Sequence, residues 1–96
     1  MLLEIPYKAG DIVSLKLSTG EELVSRLDTE DAKTYTVKKP MVLIANEKGL
    51  GLAPFMYSVS PDGKFVLNAS TVTCIGKTEG EIAKQYTATT SGIQMV

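Results

Sequence analysis

The sequence predicts a small all-β protein with one short helix near its carboxyl end. Several short runs alternate between apolar and polar residues, as strands do when one face of a sheet is buried. Turn residues separate those runs at short intervals, which is typical of a small sandwich or barrel. A helix start signal appears only after the last of these runs, so the helix is expected to follow the sheet.

The first two strands carry the clearest pattern. Residues 12–18 alternate in polarity, and their apolar members on one face are Val13, Leu15 and Leu17. This alternation predicts a strand with one buried face. Residues 18–21 include Gly20 and are typical of a tight turn, so residues 22–27 are expected to return as the second strand of a hairpin.

Proline is expected to disturb the third strand. The strand begins at 34–37, but Pro40 has no N–H group for the ladder, which predicts a bulge, a bend or a sheet edge. Lys38 and Lys39 precede the proline and are expected to be a solvated pair that protects an edge. Residues 41–45 are continuously apolar, as in a strand buried on both faces.

The second half of the sheet is predicted from turn signals and from β-branched residues. The predicted elements are a turn at 46–49, a strand-like run at 50–59 that Pro54 interrupts, a type I turn at 60–63, and strands at 64–67 and 71–75. The turn at 60–63 has proline in its second position and glycine in its last. Met41 and Met56 are expected to fill the core.

A capping box predicts the helix. Thr78 and Glu81 have the spacing in which the first side chain caps the helix and the second reaches back to it. The helix is therefore expected at about 79–89. Its apolar residues Ile82 and Tyr86 lie one turn apart, and they must dock on the sheet or on a neighbour because a single short helix is unstable alone.

The composition is that of one small intracellular domain, residues 1–96. The net charge of −1 argues against a strongly electrostatic nucleic-acid binder, which usually carries a basic excess. The single cysteine, Cys74, is expected to be a buried hydrophobe in a reduced, cytoplasmic setting. No apolar run approaches the ~20 residues of a membrane span, and no signal-peptide pattern is visible.

The residue types argue against an enzyme. The chain contains no histidine, which removes the commonest general base and the commonest metal ligand. The spacing of the acidic residues Asp28, Glu30 and Asp31 does not match that of any calcium-binding loop. Carboxylate chemistry, or Ser70 with a distant lysine, is the remaining catalytic option, and no spacing selects it. We therefore expect a non-catalytic protein without a cofactor or a metal.

Two segments resemble the two sequence motifs of the Sm-like ring-forming family. Residues 10–27 are similar to the first motif, with its leading glycine, alternating apolar residues and turn glycine, and Asp31 falls where that motif has its aspartate. Residues 67–75 have the spacing of the second motif. The chain departs from the family pattern at Ser25, where the family usually has glycine, and at the positions Lys33, Tyr35, Asn68 and Ala69.

The resemblance implies a fold, an assembly and a site. The fold is a strongly bent five-stranded Sm-like (SH3-like) barrel at about 10–77, followed by the helix at about 79–89. The assembly is a homo-oligomeric ring of roughly five to seven copies, in which edge strands of neighbouring subunits pair. By family analogy, single-stranded RNA contacts loops near the pore at Asp31, Lys33, Tyr35, Asn68 and Ser70.

Each of these residues also has a simpler interpretation. Tyr35 is suited to stack on a base, or to pack as an ordinary cross-strand or interface aromatic. Asn68 is suited to bind a base edge, or to make local backbone hydrogen bonds at a turn. Lys33 is suited to meet a phosphate. The alternative function is a structural or protein-interaction module on the same barrel, without nucleic-acid binding, in which the tail helix or the 46–63 hairpin docks a partner.

Overall fold

The computed structural model describes residues 6–60 and 62–91, which form one antiparallel sheet and one helix. The remaining positions, including Pro61 of the predicted type I turn, lie outside the described residues. The elements in chain order are β1 Ile12–Leu17, β2 Glu22–Glu30, β3 Thr34–Asn46, β4 Gly49–Pro54, β5 Lys64–Asn68, a 3-10 turn Ala69–Thr71, β6 Val72–Lys77 and α1 Gly80–Thr90.

The third strand is the centre of the sheet. The strand order is β4-β3-β2-β1-β6, and β5 also pairs with β3, on the same edge as β4. The first half of β3 pairs with β5, from Thr34 to Lys38, and the second half pairs with β4, from Met41 to Asn46. Lys39 lies between the halves with φ of 51°. The interruption predicted from the following proline is therefore confirmed, because this φ breaks the regular strand geometry.

The all-β class is confirmed, whereas the hydrogen-bonded sheet is open rather than closed into a barrel. It has six strands, in agreement with the six strand-like runs of the sequence, whereas the Sm-like resemblance implied five. Within the described part of the chain, β6 pairs with β1 alone, and β4 and β5 pair with β3 alone. The short 3-10 turn joins β5, on one side of the sheet, directly to β6, on the other.

One core lies inside the curled sheet. Its fully or nearly buried members are Val13, Leu15, Leu17, Leu23, Leu27, Val37 and Phe65. The alternation predicted for β1 and β2 is thus confirmed. Each fully buried aliphatic side chain contributes roughly 1.5–3 kcal/mol relative to exposure. Ser25 shares the inward face of β2 with Leu23 and Leu27, and its buried Oγ has no hydrogen-bond partner within residues 6–60 and 62–91.

The helix lies within one residue of its predicted bounds, but the predicted cap is wrong. Glu79 is the N-cap, and its carboxylate accepts from the backbone N–H groups of Glu81 at 3.0 Å and Ile82 at 2.9 Å. Thr78, one residue beyond β6, is instead bonded to β1, because its backbone N–H donates to the carbonyl of Ile12. Its Oγ1 also shares a hydrogen bond of 2.9 Å with Oγ of Ser14.

The helix docks on the sheet at the interruption of β3. Tyr86 is 1% exposed, which confirms the expectation that this residue docks. Its hydroxyl contacts the carbonyl oxygens of Lys38 and Lys39. Nζ of Lys39 in turn donates to the carbonyl of Thr90, at the last turn of the helix, at 2.9 Å. Val24, which points away from the main core, is also fully buried.

Two predicted core residues are exposed. Cys74 is exposed because it lies opposite Lys16, on the outward face of the sheet. Ile75, which is opposite Leu15, and Val72, which is opposite Leu17 beyond a register shift, pack on the core instead. Met56 is exposed because β4 ends at Pro54 and the predicted strand 50–59 leaves the sheet there. Among the described residues, no helix has the length and apolar character needed to cross a bilayer.

Candidate functional site

Two loops that carry the predicted site lie side by side at one end of β3. The backbone N–H of Ala69, in the 3-10 turn, donates to the carbonyl of Lys33, in the β2–β3 loop, at 2.8 Å. Thr34 is directly opposite Asn68 in the pairing of β3 with β5. The structure therefore brings Lys33 and Asn68 onto adjoining segments, although residue 33 and residue 68 are far apart in sequence.

Asp31 shapes the β2–β3 loop. Its Oδ1 accepts from the backbone N–H of Lys33 at 2.8 Å and from the backbone N–H of Thr34 at 2.9 Å. These backbone hydrogen bonds, that from Lys33 first, hold the pKa of the Asp31 carboxyl below its usual range. The carboxylate is thus occupied by its own loop, in the manner of an Asx turn, and a ligand would have to compete with those donors.

Tyr35 is half-buried and packs against the core rather than standing free. Tyr7 packs against the same core, and its hydroxyl donates to Oε1 of Glu30 at 2.9 Å. Burial, the hydrogen bond to Glu30 and the neighbouring Tyr35 together raise the pKa of Tyr7. Tyr7 and Tyr35 therefore form an aromatic pair at the loop end of the sheet, and no sequence pattern predicted that the segment before β1 contributes to it.

Asn68 and Ser70 are exposed beside the turn. The carbonyl of Asn68 accepts from Oγ1 of Thr71 at 2.7 Å, whereas its side chain makes no capping hydrogen bond to the 3-10 turn. The backbone carbonyl of Asn68 therefore supports the turn, whereas its side-chain amide takes no part in capping it. Lys33 is exposed on the adjoining loop.

The acidic residues near this end take separate partners. Asp28 lies 3.1 Å from Nζ of Lys64 and 4.0 Å from Nζ of Lys38, while Glu30 accepts from Tyr7. Within residues 6–60 and 62–91, no three acidic or cysteine side chains come together as a metal site. Lys38 and Lys39 were expected to be a solvated pair, but Lys39 instead joins β3 to the end of α1.

An apolar groove lies at the interruption in the middle of β3, and no sequence pattern predicted it. It has a volume of about 610 Å³ and is formed where β4 and β5 separate, with the end of α1 as one wall. Its apolar lining includes Met41, Leu52, Met56, Tyr57, Val59 and Phe65. The available signal was the apolar run 50–59 containing Pro54, which was interpreted as a strand.

The outer strands of the sheet are the third feature of the surface. The outward edges of β5 and β6 have no strand partner among the described elements. Val66 on β5 is 65% exposed, and Cys74 on β6 is exposed. Unpaired edges of this kind expose backbone N–H and C=O groups that can pair with another strand.

No protein-family model matches the chain, and no curated protein sequence matches it significantly. The Sm-like resemblance therefore stays a prediction. The surface offers two loops that adjoin at one end of β3, an apolar groove at the interruption of β3, and two sheet edges.

Proposed function

We propose that this chain is a non-catalytic subunit that assembles with copies of itself through its sheet edges, in an Sm-like ring of roughly five to seven copies. The observation that carries the proposal is the open sheet, whose outer strands β5 and β6 are unpaired on their outward sides in the described structure. Pairing β5 of one copy with β6 of the next would satisfy both edges.

The chemistry of the edges supports pairing. Natural sheets usually protect an exposed edge with lysine, proline or a bulge. Each of these two strands carries a lysine only at one end, and each lysine is turned towards an aspartate of its own chain: Lys64 towards Asp28 and Lys77 towards Asp11. The central parts of both strands are uncharged.

The difference between the two edges favours a ring. An interface between β5 of one copy and β6 of another joins unlike surfaces, so it is heterologous and repeats from copy to copy. Such a repeat closes into a ring when its rotation allows closure. The net charge of −1 gives little repulsion between copies.

The local structure also supports the Sm-like part of the proposal. The first motif-like segment, residues 10–27, spans the β1–β2 hairpin, and the second, residues 67–75, spans the 3-10 turn and the start of β6. All of the strands except β4 contribute to one core inside the curled sheet, as in a small barrel.

The test is the solution mass of a variant with a charged edge. Val66→Lys places an unpaired charge in the middle of β5, and we expect the mass measured by light scattering to fall to a smaller species. Ala88→Lys is the matched control because Ala88 is exposed on α1, away from both edges. Equal masses for Val66→Lys and the unaltered protein would refute edge pairing.

A second candidate function is the binding of single-stranded RNA at the adjoining loops. It is favoured by the hydrogen bond between Ala69 and Lys33, which holds the two predicted loops together. In this function Lys33 contacts a phosphate and the exposed face of Tyr35 stacks on a base.

The experiment for this candidate is the binding of a fluorescent single-stranded oligouridine by anisotropy at two salt concentrations. Tyr35→Leu should weaken binding by roughly 1–3 kcal/mol if Tyr35 stacks. Lys33→Gln should weaken binding and reduce the salt dependence, whereas Lys48→Gln, in the distant β3–β4 turn, should change the affinity little. Absence of binding at low salt would exclude this function.

A further inference from the structure

The apolar groove arises from the way the chain crosses the edge of β3. β4 pairs with the second half of β3 and β5 with the first half, so neither strand covers the interruption at Lys39 and Pro40. The backbone N–H of Phe55 donates to the carbonyl of Pro40 at 3.1 Å, and the chain then leaves the sheet. It returns through a turn closed by the hydrogen bond from Gly63 to Ser60, at 3.0 Å. The gap between the two strands is the groove.

One wall of the groove carries several exposed apolar side chains close together. Tyr57 is 84% exposed, Met56 42% and Val59 37%, and all three lie within one short segment. Contiguous exposed apolar residues commonly mark an interaction site. Tyrosine and methionine are both enriched at the buried centres of protein interfaces.

The remaining wall is fixed in place. Nζ of Lys39 donates to the carbonyl of Thr90, and Thr90 lines the groove at the end of α1. Tyr86 holds the same helix against the backbone of β3. A receptor that is already ordered loses little conformational entropy on binding, which favours association.

We propose that this groove is a two-fold interface with a second copy of the chain, in which Tyr57 of each copy enters the groove of the other. The proposal does not depend on the edge pairing of β5 and β6. A two-fold interface requires one patch to be complementary to itself. This patch combines a groove with a largely exposed aromatic side chain, Tyr57, on the wall of that groove, which meets that requirement.

The charges on the rim are self-complementary as well. Nζ of Lys39 lies 4.0 Å from Oδ1 of Asp62, and the side chain of Asp62 is 85% exposed. A two-fold axis through the patch sets the Lys39 of each copy near the Asp62 of the other. A patch that carries both signs of charge attracts its own copy, whereas a patch of one sign repels it.

The size of the groove agrees with an aromatic guest. Its volume of about 610 Å³ lies within the range of roughly 300–1,000 Å³ that protein binding pockets occupy. Tyr57 buries its ring there and keeps its hydroxyl for a polar partner or water at the rim, which is how tyrosine is commonly used at interfaces.

The experiment is sedimentation velocity over a range of protein concentrations for the unaltered chain, Tyr57→Ala and Ile44→Ala. Tyr57→Ala is expected to raise the dissociation constant of the two-fold contact at least about 30-fold, as the loss of a central interface residue does. Ile44→Ala is the control, because Ile44 is an exposed apolar residue of β3 outside the groove. Circular dichroism should show that both variants stay folded.

The outcomes separate this interface from the edge interface. If both contacts exist, Tyr57→Ala halves the mass of the assembly, and Val66→Lys reduces the assembly to a dimer. If only the groove contact exists, Tyr57→Ala converts a dimer into a monomer. A mass that Tyr57→Ala leaves unchanged overturns the proposal. A monomeric protein that binds the apolar dye ANS, with loss of binding in Tyr57→Ala, also overturns it and assigns the groove to a different apolar partner.

Discussion

The hydroxyl of Tyr86 donates to the carbonyl of Lys39 at 2.8 Å, and this contact joins the helix to the one residue of the described sheet that has a positive φ without being glycine. The carbonyl of Lys38 lies 3.1 Å from the same hydroxyl. Both carbonyls belong to the stretch of β3 where regular pairing is interrupted. The helix therefore supplies a hydrogen-bond donor at the place where the sheet lacks one.

Removal of that hydroxyl is expected to destabilise the fold. Tyr86→Phe keeps the ring but leaves the Lys39 carbonyl without its donor, so the free energy of unfolding should fall by about 1–2 kcal/mol. Urea denaturation measures the change. Tyr57→Phe, which alters a largely exposed tyrosine, should change the free energy by less than about 0.5 kcal/mol. Equal effects of the two substitutions would show that the hydroxyl of Tyr86 does not stabilise the helix contact.

Tyr86 should also make the free energy of unfolding vary with pH in the alkaline range. Burial, opposed by the nearby Arg26, raises the pKa of Tyr86 to about 12 from its ordinary 10.0. The raised pKa means that the folded state favours the neutral phenol. The corresponding stability is complete below pH 10 and is lost as the pH rises towards 12. The difference in unfolding free energy between the unaltered protein and Tyr86→Phe should therefore shrink over that interval, and a constant difference would contradict the assignment.

Ser25 should be a site where a hydroxyl can be removed with a gain in stability. Its buried Oγ has no partner in the described structure, so Ser25→Ala should raise the free energy of unfolding by about 1 kcal/mol. Ser14→Ala is the matched control, because Oγ of Ser14 is bonded to Thr78 and its loss should destabilise by a similar amount. Thermal melts of the two variants should shift in opposite directions, and a lower melting temperature for Ser25→Ala would indicate a partner for that hydroxyl.

Glu79 should determine the start of the helix. Its carboxylate accepts two backbone hydrogen bonds, that from Glu81 first and that from Ile82 second, and these lower its pKa. A lowered pKa contributes stability above the ordinary value of 4.5, and that stability is lost as the pH falls through the lower folded value. Glu79→Ala should lower the melting temperature at pH 7 and have less effect in acid. Thr78→Val removes the side chain that the capping box predicted as the cap. Loss of helical circular dichroism in this variant would show that Thr78, rather than Glu79, caps the helix.

The elements that could be predicted from the sequence are those whose pattern is local. The β1–β2 hairpin was predicted because Leu15 and Leu23 lie in runs that alternate about a turn glycine, and the sheet keeps that alternation. The bounds of α1 also followed from local signals, the capping box and the spacing of Ile82 and Tyr86 by one turn. The N-cap did not, because the pairing of Thr78 with Ser14 joins residues that are distant in sequence.

The groove and the exposure of Cys74 depend on pairing that no local pattern specifies. The run containing Leu52 and Met56 is uniformly apolar, so its sequence does not tell which side chains enter the sheet and which leave it. The pairing of Cys74 with the outward-facing Lys16, rather than with a core residue of β1, decides the direction of Cys74. Lys33 and Asn68 were named together only by analogy with the Sm-like family, and the structure places them on adjoining segments. The packing of Tyr35 on the core depends on the three-dimensional fold.

The mass of the purified, unaltered chain under native conditions tests the proposed assembly most directly, read together with the ratio of absorbance at 260 and 280 nm. We expect a discrete assembly of roughly five or more copies, since edge pairing of β5 with β6 repeats from copy to copy. A ratio typical of pure protein would favour assembly without nucleic acid. A monomer at micromolar concentration would contradict both the edge pairing and the groove interface.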